Sequence, residues 1–330
     1  MTEMARGIAQ RSQLVAPKLR KHLNVTPLLP FSALGAQVGA ELLVKCEHLQ
    51  HTGSFKARGA LAKALTFTPE QRRRGVVTAS SGNHGLGVAN ALAALGGQGV
   101  VFVPENASPV KVAAIERLGA RVRRDGTDVG VLEQLAREYA AEHDMVYIPP
   151  YNDPEVIAGQ GTVAVEMLEQ TGKLDAVVVA VGGGGLVGGV ASVLKQHWPD
   201  VRIIGASPAN DAGMVACVRA GEVVWVDAEP TLSEGTAGNI EPGSITVELC
   251  RSLVDDWVLV DETAIASALR MVIDTEHHLV EGAAAVAFAA ALAKRDELTG
   301  QRVAVVSCGA NISADLLAEA LSTTNPPNPG

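Results

Sequence analysis

Short runs of β-branched residues alternate with longer Ala/Leu/Glu-rich stretches at helical period along most of this chain, and that alternation leaves few architectures open. A strand–helix–strand rhythm is satisfied by parallel strands joined through crossover helices, so the expected class is α/β. Strands are predicted at Leu42–Cys46, Val76–Ala79, Gly99–Val103, Arg121–Arg124, Val146–Ile148, Ala176–Val181, Arg202–Ala206, Trp257–Val260 and Val303–Ser307. So many strands exceed one ordinary sheet. The segment 76–150 holds a complete strand–helix series and is closed by the turn chemistry of Pro149-Pro150-Tyr151-Asn152-Asp153-Pro154. We therefore expect two domains, a larger one from 1–75 and 151–330 and a smaller one from 76–150, with parallel or mixed sheets flanked by helices and a ligand cleft between the two.

Composition narrows the function classes. A chain of 330 residues, 47% hydrophobic, has enough material for substantial cores. Its formal charge of −9 and the lack of a Lys/Arg-rich block argue against nucleic acid or an anionic membrane as partner. Met1 to Lys21 lacks the continuous apolar core of a signal peptide, and Asp175–Val181 and the Ala-rich Gly282–Leu292 are too short to span a bilayer. The expectation is a cytoplasmic protein. Cys46, Cys217, Cys250 and Cys308 lack CxxC spacing, which points to reduced thiols rather than disulfides or zinc. The Pro- and Asn-rich tail Ser322–Gly330 is expected to be disordered.

Four segments carry the candidate chemistry. In His51-Thr52-Gly53-Ser54-Phe55-Lys56-Ala57-Arg58-Gly59-Ala60 a lysine opens a predicted helix behind Gly53 and a Ser54 cap. Partial desolvation and the positive end of a helix would lower its pKa toward a neutral nucleophile; the alternative is an ordinary solvated helix lysine. Thr78-Ala79-Ser80-Ser81-Gly82-Asn83-His84-Gly85 runs from a strand into a helix, with hydroxyls, an amide and free N–H groups suited to a carboxylate or phosphate; the alternative is a capped turn. Val181-Gly182-Gly183-Gly184-Gly185-Leu186-Val187-Gly188-Gly189 follows another strand, and its successive N–H groups suit one phosphate, although a purely structural glycine loop stays open. The run also satisfies GxGxxG through Gly183, Gly185 and Gly188, but the next strand ends in Gly205-Ala206-Ser207-Pro208, without the acidic residue that would hold a dinucleotide ribose. Fourth, Val305-Val306-Ser307-Cys308-Gly309-Ala310-Asn311 leaves the last strand, where Cys308 either packs or faces a ligand.

Together these segments resemble the fold-type II pyridoxal-phosphate enzymes, in particular the serine/threonine dehydratase and serine racemase family, over about Thr26 to Ile312. The resemblance implies pyridoxal 5'-phosphate as cofactor, joined to Lys56 as a Schiff base, with Phe55 beside its ring. It implies Gly182, Gly183, Gly184, Gly185 and Leu186 as the phosphate cradle, Gly235 as a further cofactor contact, and Cys308 at the pyridine nitrogen. Ser80, Ser81, Asn83 and His84 fall on the substrate-carboxylate loop, Asn83 also meeting the cofactor's phenolic oxygen. Ser81 holds the position of an acid/base in racemases, while Tyr151 resembles the aromatic found in dehydratases. A neutral thiol makes the ring a weak electron sink, which suits prompt loss of a β-substituent.

The expected reaction is α,β-elimination from a β-hydroxy-amino acid of the L-threonine or L-serine type, giving a 2-keto acid and ammonia in a homodimeric enzyme. Racemisation is the nearest alternative; a nucleotide-binding dehydrogenase and a ligand sensor are remoter ones. This chain departs from the family pattern in three places. Ser207-Pro208 replaces the Glu-Pro that begins the family's divalent-cation site, and Gly213 stands at the downstream acidic position after Asp211, so no metal is expected. The loop Thr231-Leu232-Ser233-Glu234-Gly235-Thr236-Ala237-Gly238-Asn239 carries small residues, leaving hydroxyaspartate, a phenylserine or a hydroxyectoine breakdown product open as substrates. The chain ends soon after the Cys308 strand, so neither an appended regulatory domain nor feedback by isoleucine is expected.

Overall fold

The structure is a computed structural model describing residues 1–126 and 129–322. Its strands are β1 (Leu28–Pro30), β2 (Glu41–Cys46), β3 (Val76–Ala79), β4 (Gly99–Val103), β5 (Arg121–Arg124), β6 (Val146–Tyr147), β7 (Ala176–Ala180), β8 (Arg202–Pro208), β9 (Asp256–Val260) and β10 (Arg302–Ser307). They form a six-stranded sheet, β1-β2-β10-β7-β8-β9, and a four-stranded sheet, β5-β4-β3-β6. Every pairing is parallel except β1 with β2. The class is α/β, and all nine predicted strands are present with end shifts of at most two residues. β1 went unrecognised because it is three residues long and ends in Pro30, a residue that an edge strand tolerates. Ser322, the start of the expected disordered tail, ends the helix Ala314–Ser322, and 323–330 lie outside the described residues.

The central strands β4 and β7 are buried at every position, as strands must be when helices cover both faces. β5 is the opposite case, an edge strand kept polar by Arg121, Arg123 and Arg124. The Ala-rich helix Gly282–Ala293 is buried on all sides and packs against β7, β8, β9 and β10, so the uniformly apolar stretch that is too short for a membrane is a core helix. Among the described residues no helix is long and apolar enough to cross a membrane.

Sheet order decides where the loops meet. β10, last in sequence, lies between β2 and β7, with Ser307 opposite Cys46 and Val305 opposite Val178. The chain therefore leaves β2 toward Lys56, β7 into the glycine run and β10 into Cys308 at one edge of the sheet, the edge where open α/β sheets bind ligands.

The helix Lys56–Ala64 packs against the helices Asn83–Leu95 and Pro154–Gln170, and a buried ionic cluster anchors it. Arg58 donates through Nε and Nη2 to Glu47 (2.7 and 2.8 Å) and through Nη1 and Nη2 to Glu166 (2.7 and 2.8 Å). Lys45 Nζ donates to Glu166 Oε2 (2.6 Å), to the Thr26 carbonyl (2.6 Å) and to Gln170 (3.1 Å). Burial alone would raise the Glu47 carboxyl; the charge and hydrogen bonds of Arg58, then Lys45 and Thr26, bring it below the usual carboxylate range. Two cations face two carboxylates, and none of the four side chains is more than 2% exposed.

Replacing Arg58 with Met leaves one cation for two buried carboxylates and is expected to cost about 3–5 kcal/mol, read as a lowered urea midpoint. A folded-state pKa below the unfolded value means that the Glu47 contribution is present above the unfolded carboxylate pKa and is lost as pH falls through the folded one. The wild-type margin over Arg58→Met should accordingly shrink in acid, and a margin that is small or independent of pH contradicts this account.

Candidate active site

Lys56 is the first residue of its helix, and its Nζ donates to the Pro150 carbonyl at 2.9 Å. The turn before it is stitched to the exit of β10: Phe55 N–H donates to the Cys308 carbonyl (3.1 Å), Ala310 N–H to the Gly53 carbonyl (2.9 Å), and Ser54 forms a bridge with Gly309. That pairing corrects the expected Ser54 cap. Bridging to Gly309 places Ser54 one residue too early, Phe55 takes the N-cap position without a side-chain bond, and the Ser54 hydroxyl is buried without a partner among the described residues. The lysine is activated all the same. Burial pulls its ammonium down to about 8, while Glu133, Cys308 and Glu281 act in the opposite direction.

Across the pocket, the helix Gly185–His197 starts behind Gly184, which has φ +80° and supplies no side-chain cap. Its first N–H groups lack helical acceptors and stay available to an anion. Gly183 cannot carry a side chain, since a Cβ there would lie 2.4 Å from the Tyr151 ring. The pocket is lined by Phe55, Lys56, Asn83 and Tyr151, by Gly182, Gly183, Gly184, Gly185 and Leu186, and by Gly235, Glu281 and Cys308. Gln160 also lines it, and its buried Nε2 has no hydrogen-bond partner among the described residues. An uncapped helix start beside an orphaned donor and an amine fits a phosphate-bearing aldehyde.

The loop after β3 forms the facing wall. The helix Asn83–Leu95 begins behind Gly82, again without a side-chain cap, and Ser80, Ser81 and Asn83 line a cleft of ≈ 1220 Å³ that also contains Lys56. Asn83 is gripped at both ends, Nδ2 donating to Glu281 Oε1 (2.8 Å) and Oδ1 accepting from Asn311 Nδ2 (2.6 Å). Glu281 also accepts from Asn311 N–H (3.0 Å). His84 behaves differently from its loop neighbours. Its ring is 3% exposed, Nε2 is spent on the Ile148 carbonyl at 3.0 Å, and burial followed by the Lys56 charge holds it neutral, down to about 3. The ring of His84 is thus committed to Ile148 and is not the free contact expected of it from its place in the loop.

Cys308 is buried, and burial, then the Glu281 carboxylate, pushes its thiol well above the ordinary range. It is a neutral group in the pocket. Tyr151 serves as packing more than as a polar contact, its ring against Gly183 and its hydroxyl accepting from Glu241 N–H at 2.9 Å. Asn239 is also structural, clasping Val226 through N–H and carbonyl, while Gly238 N–H donates to Asp211 at 2.7 Å. Among the described residues no group of three or more His, Cys, Asp or Glu side chains could hold a metal ion.

Sequence reasoning missed Glu281, Asn311, Glu133, Arg137 and Glu241. Glu281 precedes the buried Ala-rich helix in the N-cap position yet makes no cap bond, turning its carboxylate to Asn83 instead. A lone Glu before Gly282 gives no local signal of that. Glu133 and Arg137 lie one turn apart on the helix Val129–Glu142 and read as surface charges.

The sequence model of the family described as "Pyridoxal-phosphate dependent enzyme" matches residues 19–309. The chain is 39% identical over 299 residues to an L-threonine ammonia-lyase of Thermotoga maritima, covering 91% of this chain and 74% of that protein. It is 34% identical over 305 residues to an L-threo-3-hydroxyaspartate ammonia-lyase of Saccharomyces cerevisiae, covering 92% and 93%. Among solved structures, the processed form of threonine deaminase isoform 2 from Solanum lycopersicum superposes with a TM-score of 0.90 at 31% identity, covering 95% of this chain and 92% of that one. Maize serine racemase superposes with a TM-score of 0.88 at 30% identity, covering 96% and 97%. With Lys56, Asn83 and the glycine run Gly182–Gly185 lining one pocket, and with a family match over most of its length, this chain belongs to the pyridoxal-phosphate dependent enzymes.

Proposed function

We propose that this protein is an ammonia-lyase that removes the α-proton and the β-hydroxyl of a small hydroxy-amino acid of the L-threonine or L-serine type and releases a 2-keto acid and ammonia. The observation that carries this reading is Lys56, an amine lowered to about 8, in a pocket whose buried thiol, Cys308, stays protonated. When bound, pyridoxal phosphate supplies an aldehyde that condenses with amines and a ring that accepts the electrons of the broken Cα–H bond. Cys308 would offer that ring a neutral partner, which would favour reactions whose electrons leave at once with a β-substituent. Gly182, Gly183, Gly184, Gly185 and Leu186 would hold the phosphate by N–H groups, with Phe55 and Gly235 against the ring and Asn83, fixed by Glu281 and Asn311, at its phenolic oxygen.

Lys56 moves the α-proton, because an amine titrating near neutrality is a competent general base once freed. Ser80, Ser81, Asn83 and the backbone at His84 orient the substrate carboxylate. Ser81, whose hydroxyl has no hydrogen bond among the described residues, is the remaining proton-handling group on that wall. Tyr151 closes the floor against Gly183. Loss of the proton and the hydroxyl gives water and an enamine, which hydrolyses to the keto acid and ammonia. We also place the lobe boundaries at 76 and 150, supported by a four-stranded sheet that lies within that span, and infer a cytoplasmic homodimer, in keeping with four buried free cysteines.

Lys56→Ala is expected to abolish both the visible absorbance of the bound cofactor and keto-acid release from L-threonine and L-serine; survival of either rejects the assignment. In wild-type apoprotein, covalent loading followed by that absorbance should accelerate as pH rises through about 8 and then level off, because the neutral amine attacks. A rate that falls over that interval contradicts the role of Lys56. Activity is expected to persist in EDTA, since Asp211 is engaged by Gly238 and the Ser207 hydroxyl by the Val181 carbonyl. A large loss restored by magnesium would count against this.

A further inference from the structure

We infer that the cleft wall around Glu133 excludes a second carboxylate, so that the substrate is a hydroxy-amino acid whose side chain carries no negative charge. This rests on the ammonia-lyase reading and sharpens it, since relatives of similar identity are named for threonine and for hydroxyaspartate.

The inference comes from the charge balance of the cleft. Two of its cations are already committed to carboxylates: Lys111 to Glu234 at 3.0 Å and Arg137 to Glu241 at 2.7 Å. Arg137 is occupied further, its guanidinium lying 4.2 Å over the Tyr147 ring. Glu241 presents a second oxygen, Oε1, that is buried without a hydrogen-bond partner among the described residues. Glu133 lines the same cleft as Lys56, makes no hydrogen bond among the described residues, and is the foremost carboxylate acting on the lysine. Burial, and then Glu241, raise its own carboxyl, against the opposing charges of Arg137 and Lys56. This wall therefore holds two carboxylates against one guanidinium, and that guanidinium is taken. The free N–H groups suited to an anion lie elsewhere in the cleft, at the start of the helix Asn83–Leu95, and one α-carboxylate uses them.

A dicarboxylate substrate would bring its second carboxylate into a half-enclosed space already in negative excess, where like charges about 5 Å apart at an intermediate dielectric weaken binding on the order of 100-fold. A methyl or hydroxyl meets no such penalty. Glu133 is thus a specificity-determining residue, and the roomy cleft accepts bulk more readily than charge.

The test measures kcat/KM of the holoenzyme for L-threonine, L-serine and L-threo-3-hydroxyaspartate by keto-acid release. Threonine or serine should exceed hydroxyaspartate by on the order of 100-fold, and Glu133→Gln should narrow that ratio about tenfold, mainly through a lower KM for hydroxyaspartate. Equal efficiencies in wild type, or an unchanged ratio in a folded, cofactor-loaded Glu133→Gln, overturn the inference. Independently of that variant and of turnover, L-alanine and L-aspartate are titrated against the visible absorbance of wild-type holoenzyme. Alanine should bind far more tightly, and comparable binding of aspartate overturns the inference. If no hydroxy-amino acid yields a keto acid, the ammonia-lyase reading fails, while the alanine and aspartate titration still decides the charge selection.

Discussion

The double fork of Arg58 is the interaction on which the active site depends. Its guanidinium satisfies Glu47 after β2 and Glu166 on the helix Pro154–Gln170 at once, two residues beyond Lys56. A lysine that must present one nitrogen accurately cannot be mounted on a turn that drifts. Burying two cations and two carboxylates is a poor way to gain net stability, but a planar fork engaged on both sides admits one orientation. The cluster exchanges cohesive energy for positional definition at the point where the chemistry needs it.

Topology does the rest. Placing β10 between β2 and β7 draws residues from three distant parts of the sequence to one sheet edge, and the four-stranded sheet contributes the loop after β3 from the other side. Asn83 shows the result: its carboxamide is clamped by Glu281 and by Asn311, residues that precede and follow β10. Glu281, raised to about 7 by burial despite the hydrogen bonds from Asn83 and Asn311, is therefore part of the joint between the two sheets as well as of the pocket.

Much of this was legible in the sequence, for definite physical reasons. Buried parallel strands must be apolar at nearly every position, so β4 and β7 announce themselves. Glycines that approach other groups closely leave a compositional trace, and Lys56 stood out once three further segments supplied complementary chemistry. Groups whose role depends on a distant partner were not legible. Arg58 reads as one helix charge until Glu47 and Glu166 are seen around it, and Glu133, Arg137 and Glu241 become a wall only when the loop around Gly238 folds over the helix Val129–Glu142. Local rules also misled where tertiary pairing prevailed, as at Ser54, which bridges Gly309 instead of capping a helix. His84 was read by its place in a loop, whereas the need to satisfy the Ile148 carbonyl decides where its ring lies.

Cys308 has a consequence for the durability of the enzyme. The species that peroxides and alkylating agents attack is the thiolate, and burial beside the Glu281 carboxylate suppresses that form. A sulfur at the centre of an active site would ordinarily be a point of oxidative damage. Here the burial that fits the proposed role of a neutral partner for the ring also keeps the sulfur in its less reactive protonated form, so the pocket holds a cysteine that such reagents attack poorly.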